Sequence, residues 1–279
     1  MKPIISAQEL QNIIGQNDLV LLDARTGKTA AEDYLQKHIS GARFIDLDKD
    51  LAKAIENAAF GGRHPLPEIE TFQKTLQNIG VSKTSHIVVY DTSNGANAAA
   101  RCWWMLKAFG IDKVQVLSGG LQAAEKIGIE LKSGEEQFER TEISAPSDWQ
   151  WPTSSLEEVE RSTIENSATI IDVRDVYRYR GESEPIDLVA GHIPGAINIP
   201  FSENLDEKGE FLAPEILRAK YQNLLKNQTE KLTIHCGSGV TACHTILALE
   251  HAGYKTPTLY VGSWSEWSRR EGKEIAKEI

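Results

Sequence analysis

Residues 231–242 read Lys231-Leu232-Thr233-Ile234-His235-Cys236-Gly237-Ser238-Gly239-Val240-Thr241-Ala242, and an apolar helical pattern follows from Cys243 to His251. A short β-like run thus ends on a cysteine, and a glycine-containing loop opens a helix. The first backbone N–H groups of a helix have no intrahelical acceptor, and its dipole is positive there. Gly237 and Gly239 let the loop curl so that successive amides point at the sulfur, a nest for an anion. Such a setting favours thiolate over thiol and makes Cys236 a nucleophile. The bland alternative is a buried free cysteine that merely precedes a helix.

The rest of the chain repeats this plan. Leu21-Leu22-Asp23-Ala24-Arg25 answers Ile170-Ile171-Asp172-Val173-Arg174, and His38-Ile39-Ser40-Gly41-Ala42 answers His192-Ile193-Pro194-Gly195-Ala196. Ile87-Val88-Val89-Tyr90-Asp91 answers Leu232 to Cys236, and Val114 to Gly120 answers Thr258 to Ser263. Four matches in one order indicate two copies of one unit. Short continuous apolar strands alternate with helical patterns at Ile69–Ile79, Ala98–Phe109 and Glu215–Leu225, as expected of a parallel sheet covered on both faces. The fold class is therefore α/β: two tandem domains, each a small, mostly parallel sheet with helices on both faces. The division expected is 1–133 for the first domain, 134–152 for a polar linker and 153–279 for the second. Thr153-Ser154-Ser155 is read as the cap of a helix starting at Leu156. Where the second copy has Cys236, the first has Asp91-Thr92-Ser93-Asn94-Gly95, and a carboxylate cannot do a thiolate's work. One site per chain is expected, at the carboxyl end of a strand in the second copy.

Bulk properties narrow the function classes. The chain has 279 residues and a formal charge of −10, which disfavours nucleic acid or an acidic membrane as partner. No apolar stretch approaches a membrane span. The opening, Met1 to Leu10, is not expected to act as a signal peptide, because polar residues interrupt any apolar core. Three cysteines, 102, 236 and 243, give neither a disulfide framework nor metal-ligand spacing, so no metal is expected and a reducing cytoplasm fits. The Asn227-Gln228-Thr229 sequon is then read as chance.

These residues resemble the tandem rhodanese-domain sulfurtransferases over essentially the whole chain. The loop 236–242 is similar to that of the 3-mercaptopyruvate type; thiosulfate-preferring relatives usually carry basic residues where this chain has Gly237 and Ser238. Arg101-Cys102-Trp103-Trp104-Met105, Gly262-Ser263-Trp264-Ser265-Glu266-Trp267 and both His-Ile-x-Gly-Ala stretches support the likeness. The resemblance implies a two-step transfer with no cofactor. Cys236 takes the sulfur of a small-molecule donor as a persulfide, held by loop residues Gly237, Gly239, Val240 and Thr241. A thiol, thioredoxin or cyanide then takes the outer sulfur. Arg178 is implied as the donor-carboxylate ligand, a role that suits a guanidinium. Relatives commonly carry a second arginine about nine residues later, where this chain has Pro185-Ile186-Asp187; Arg180 or an interdomain residue is a candidate substitute. The resemblance also implies a relay of Ser238, His64 and Asp48, with the first domain contributing across the interface. The alternatives are a loop hydroxyl for Ser238, a surface histidine for His64 and a turn or cap residue for Asp48.

Several other conspicuous residues read as structural. His38 and His192 are expected to order the loop after a helix, and Asp23/Arg25 and Asp172/Arg174 to form ion pairs. Strand alternation points His235 away from the side of Cys236. Trp103, Trp104, Trp264 and Trp267 read as packing. A cysteine phosphatase or arsenate reductase would need an arginine at position 242, which is Ala242. A persulfide carrier without turnover and a thiosulfate:cyanide sulfurtransferase are the remaining alternatives.

Overall fold

Two five-stranded, all-parallel sheets with one shared strand order form the framework of the computed structural model, which describes residues 1–226, 228 and 231–278. The sequon at Asn227 and Thr229 lies outside these residues. In the first unit the strands are β1 (Ile4–Ile5), β2 (Leu19–Asp23), β3 (His38–Ile39), β4 (Ala42–Phe44), β5 (His86–Tyr90), β6 (Val114–Leu117) and β7 (Leu131–Lys132). The sheet runs β1-β6-β5-β2-β4, and β3 pairs antiparallel with β7 beside it. The second unit has β8 (Thr153–Ser154), β9 (Thr169–Asp172), β10 (Ile197–Asn198), β11 (Leu232–His235) and β12 (Thr258–Tyr260), in the order β8-β12-β11-β9-β10. Matching the two orders pairs β5 with β11, so Asp91 and Cys236 are equivalent positions just beyond the central strands. Even the small antiparallel ribbon is echoed, by a bridge between His192 and Ala276.

Helices α1 (Ala7–Ile13), α2 (Ala30–Gln36), α3 (Ile69–Asn78), α4 (Ala98–Ala108) and α5 (Gly120–Lys126) flank the first sheet. Helices α6 (Leu156–Glu165), α7 (Val176–Arg180), α8 (Pro214–Leu224), α9 (Thr241–His251) and α10 (Ser263–Trp267) flank the second. The helices that follow the two equivalent loops, α4 and α9, are buried on nearly every face, so their apolar residues are not confined to one stripe. Ser155 caps α6 through a capping box with Glu158. Thr153 and Ser154, expected to share in that cap, instead pair with Leu259 and Tyr260 as an edge strand.

The compact units depart from a linear division at 133 and 153. The first comprises 1–53, 66–150 and 207–211; the second comprises 54–65, 151–206 and 212–279. Residues 134–150 are not a free linker, because their polar groups are satisfied on the first unit. Gly134 N–H donates to Leu35 O, Thr141 N–H to Gln77 O and Gln150 N–H to Ala108 O, while the Glu136 carboxylate accepts from Gly41 N–H. Segment 54–65 belongs to the second unit.

The repeated motifs do the same structural work in each unit. Arg25 chelates Asp23, and Arg174 chelates Asp172, as buried pairs at the ends of β2 and β9. His38 stacks on Tyr34 and its Nδ1 meets Tyr34 O at 2.7 Å; His192 stacks on Tyr179 and meets Tyr179 O at 2.8 Å. All four tryptophans named above are buried. No helix among the described residues is long and apolar enough to cross a membrane.

Candidate active site

Cys236 stands one residue beyond β11, two strands in from either edge, and is 2% exposed. Its backbone is pinned on both sides by the segment after β12. Cys236 N–H donates to Ser263 Oγ at 3.1 Å, Trp264 N–H donates to Cys236 O at 3.0 Å, and Ser265 N–H donates to Gly237 O at 2.8 Å. Ser263 completes the anchor by donating its hydroxyl to Tyr260 O. It does so in the left-handed region, at φ 53°, where the first unit uses Gly120 at φ 59°. That conformation costs a non-glycine residue about 1–2 kcal/mol, and the two hydrogen bonds of its hydroxyl return a similar amount.

The two loop glycines serve different ends. Gly239 has φ +73°, and a Cβ there would lie 2.5 Å from Val261 O. Gly237 does not use the left-handed region; it makes room. A Cβ on it would meet Arg63 Nη2 at 3.0 Å, Arg178 Nη2 at 3.4 Å and Asp187 Oδ2 at 3.5 Å. Val240 precedes α9 and is buried, and Thr241 is the first helical residue.

The first unit shows what such a loop does with a negative charge. Asp91, equivalent to Cys236, is buried, and its carboxylate accepts four backbone N–H bonds, from Ser93, Gly95, Asn97 and Ala99, at 2.8–3.1 Å. Burial pushes its carboxyl above the ordinary range and these amides pull against that shift. The side chain has filled the anion cradle from within.

Segment 54–65 brings His64 to the loop. The segment is held by the Gly262–Trp267 stretch: Gly61 N–H donates to Glu266 Oε1 and Arg63 N–H donates to Ser265 Oγ. His64, half-buried, then has its Nδ1 2.8 Å from Ser238 Oγ, and Ser238 is 6% exposed. Asp48, the third expected member, belongs to the first unit. It lies on an exposed turn in which Asp46 Oδ1 accepts the amides of Asp48 and Lys49.

Arg178, on α7, is buried and does reach the loop. Glu184 grips its Nε and Nη2, and Asp187 Oδ2 lies 3.3 Å from Nη2. Burial disfavours its charge, but Glu184 and Asp187 outweigh that and push its pKa above the ordinary value. Arg180 is no substitute for a second arginine: it is half exposed and paired with Glu278. The missing positive charge comes from elsewhere in the second unit. Arg63 donates Nε to Asp187 Oδ1 at 3.1 Å, and Arg269 donates Nη1 to the same oxygen at 2.8 Å. Neither was singled out in the sequence, although Arg63 is the neighbour of His64.

The other two cysteines are buried and free. Cys102 lies in α4, where burial pushes its thiol up, and the buried Cys243 thiol donates to Gly239 O. The His235 ring lies against Asp172 and Tyr260, with its Nδ1 3.2 Å from Cys236 O.

The sequence profile of the rhodanese-like domain matches twice, over residues 6–126 and 155–270. The chain belongs to the rhodanese family. It is 39% identical over 98% of its length to a probable 3-mercaptopyruvate sulfurtransferase of Pseudomonas aeruginosa, of which the match covers 97%. It is 36% identical to a putative thiosulfate sulfurtransferase, SseB, of Mycobacterium tuberculosis, over 98% of this chain and 96% of the relative. Among solved structures it is similar to the crystal structure of the 3-mercaptopyruvate sulfotransferase SseA of Escherichia coli. The TM-score is 0.81 at 32% identity, covering 95% of this chain and all of that one. The rhodanese repeat accounts for the two sheets of one strand order, and the family is one of sulfur transfer.

Proposed function

We propose that the protein is a 3-mercaptopyruvate sulfurtransferase that works through a persulfide on Cys236. The observation that carries this reading is the 2.8 Å contact between His64 and Ser238 in the loop that Cys236 opens. A donor that leaves as a carbanion or enolate needs a proton delivered, and a hydroxyl polarised by imidazole supplies that step. The Cys236 thiolate attacks the sulfur at C3 of mercaptopyruvate. The S–S bond forms, the C3–S bond breaks, and its electron pair passes to pyruvate as the enolate, which is protonated at C3. Arg178, with Arg63 and Arg269 behind it, attracts the donor carboxylate to the rim of the loop. Backbone N–H groups at the start of α9 stabilise the sulfur anion before and after transfer. In the second half-reaction a thiol, such as that of thioredoxin, or cyanide attacks the outer sulfur and regenerates the thiolate. All three cysteines are free, which suits a reducing compartment such as the cytoplasm.

A thiosulfate donor is the second reading. It is suggested by the name of the mycobacterial relative alone. Steady-state transfer from both donors separates the two: mercaptopyruvate is expected to give the larger kcat/KM. Mass spectrometry of donor-treated protein is expected to find one added sulfur on the peptide containing Cys236. Its absence would refute the persulfide, and a larger kcat/KM for thiosulfate would refute the donor.

A further inference from the structure

Three guanidiniums and two carboxylates converge beside Gly237. Asp187 stands at their centre, its side chain without solvent exposure, Oδ1 taken by Arg63 and Arg269 and Oδ2 facing Arg178. Its position is fixed from behind, because Glu184 Oε1 accepts the amides of Ile186 and Asp187 and turns the loop inward. Arg174, the next cation, is already neutralised by Asp172, and it shares Glu184 with Arg178. Arg63 and Arg269 keep 26% and 16% of their side chains exposed, so the cluster opens to solvent on their side. Against Arg63, Arg178 and Arg269 stand Glu184 and Asp187, leaving one net positive charge at the rim of the loop. Without Asp187 there would be two.

We propose that Asp187 determines donor specificity, its carboxylate cancelling one charge so that the site matches a donor with a single carboxylate rather than a dianionic sulfur oxyanion. This rests on the reading of Cys236 as the acceptor of donor sulfur. Charges a few ångströms apart in a partly desolvated site interact strongly enough to decide between a monoanion and a dianion. The residue works through the arginines it holds and is a positioning residue, not a catalytic one.

The test is kcat/KM for mercaptopyruvate and thiosulfate in the wild type, Asp187→Asn, Asp187→Glu and Arg269→Gln, with melting midpoints alongside. Asp187→Asn is isosteric and removes only the charge. It is expected to raise the thiosulfate-to-mercaptopyruvate ratio about tenfold or more, chiefly through a lower KM for thiosulfate. Asp187→Glu keeps the charge and is expected to keep the ratio within about threefold of wild type. Arg269→Gln removes a positive charge and is expected to move the ratio the other way, which reads the same balance should Asp187→Asn melt early. An unmoved ratio, or equal loss with both donors, would overturn the proposal by showing that Asp187 only holds the arginines in place. If the wild type forms no persulfide from mercaptopyruvate, the donor assignment fails separately. The charge balance is then read by calorimetry with sulfate and acetate, where Asp187→Asn must tighten sulfate binding selectively or the proposal fails.

Discussion

His64 Nδ1 lies 2.8 Å from Ser238 Oγ, although the two residues are 174 positions apart, and the Gly262–Trp267 stretch helps to hold the segment that carries His64. If this pair delivers the proton, each of Ser238→Ala and His64→Ala loses about 10²-fold or more in kcat with mercaptopyruvate, and the double variant loses little beyond either single one. Transfer from thiosulfate, whose leaving sulfite needs no proton at carbon, is expected to fall much less. Additive losses, or equal losses with both donors, would remove the pair from proton delivery.

Ser263 provides a sharper dissection, because its backbone strain and its hydroxyl act in opposite directions. Ser263→Ala keeps the strained φ of 53° and deletes the bonds to Cys236 N–H and Tyr260 O. Ser263→Gly deletes the same bonds and relieves the strain. The glycine variant should therefore be about 1 kcal/mol more stable than the alanine variant, as measured by urea denaturation, while both form persulfide more slowly than wild type. Equal stabilities would mean that the left-handed conformation carries no cost here.

Alanine at the two loop glycines is expected to give two distinct phenotypes. At Gly239 a Cβ meets Val261 O, a backbone atom, in a left-handed conformation, so Gly239→Ala should cost more than about 2 kcal/mol and lose the persulfide. At Gly237 the obstacle is the tip of Arg63, a flexible side chain that can yield. Gly237→Ala should melt near wild type and raise the donor KM. Parallel melting curves and donor titrations check both.

Much of this was legible in the sequence because it is local or repeated. The strand-loop-helix around Cys236, the duplicated Asp-x-Arg and His-Ile-x-Gly-Ala motifs and the lack of a nucleophile at position 91 all follow from short stretches. What escaped is long-range. Arg63 reaches the loop because segment 54–65 belongs to the second unit, and Arg269 because the stretch after Trp267 folds back onto Asp187; no local pattern encodes either approach. Asp187 read as a missing arginine, whereas the folded chain makes it the hub to which three arginines attach. Gly237 read as a residue that lets the loop curl, whereas what it provides is room for a guanidinium.

Asp91 turns the silent copy into a stability element. Removing its carboxylate orphans four amides, of which the buried ones of Gly95 and Ala99 each cost about 1–3 kcal/mol when unsatisfied. Part of that is recovered by no longer burying a charge. Asp91→Ala is expected to lose at least about 3 kcal/mol in urea unfolding while the Cys236 peptide still takes sulfur. Asp91→Cys should leave the labelling at one sulfur per chain, because among the described residues no histidine pairs with Ser93, which stands where Ser238 does in the other loop. A second labelled peptide would show that the cradle alone makes a nucleophile.

His235 sets a pH limit on the second unit. Burial pushes its imidazole below the ordinary value, with Asp172 pulling the other way, and its Nε2 has no hydrogen-bond partner. The folded chain therefore binds a proton at this site less readily than the unfolded chain. Stability from this group is present above the unfolded pKa of about 6.5 and is lost as the pH falls below it, by up to about 1.4 kcal/mol per pH unit. Asp172 adds to the same trend only at lower pH. Burial opposes its charge, but Arg174 outweighs that and holds its carboxyl below the usual range, so its contribution is lost only as the pH falls through the carboxylate region. Urea midpoints measured at about pH 7.5 and about pH 5.5 should thus fall in the wild type and fall distinctly less in His235→Gln, whose side chain is neutral throughout. An identical fall in both would place the acid sensitivity in another histidine.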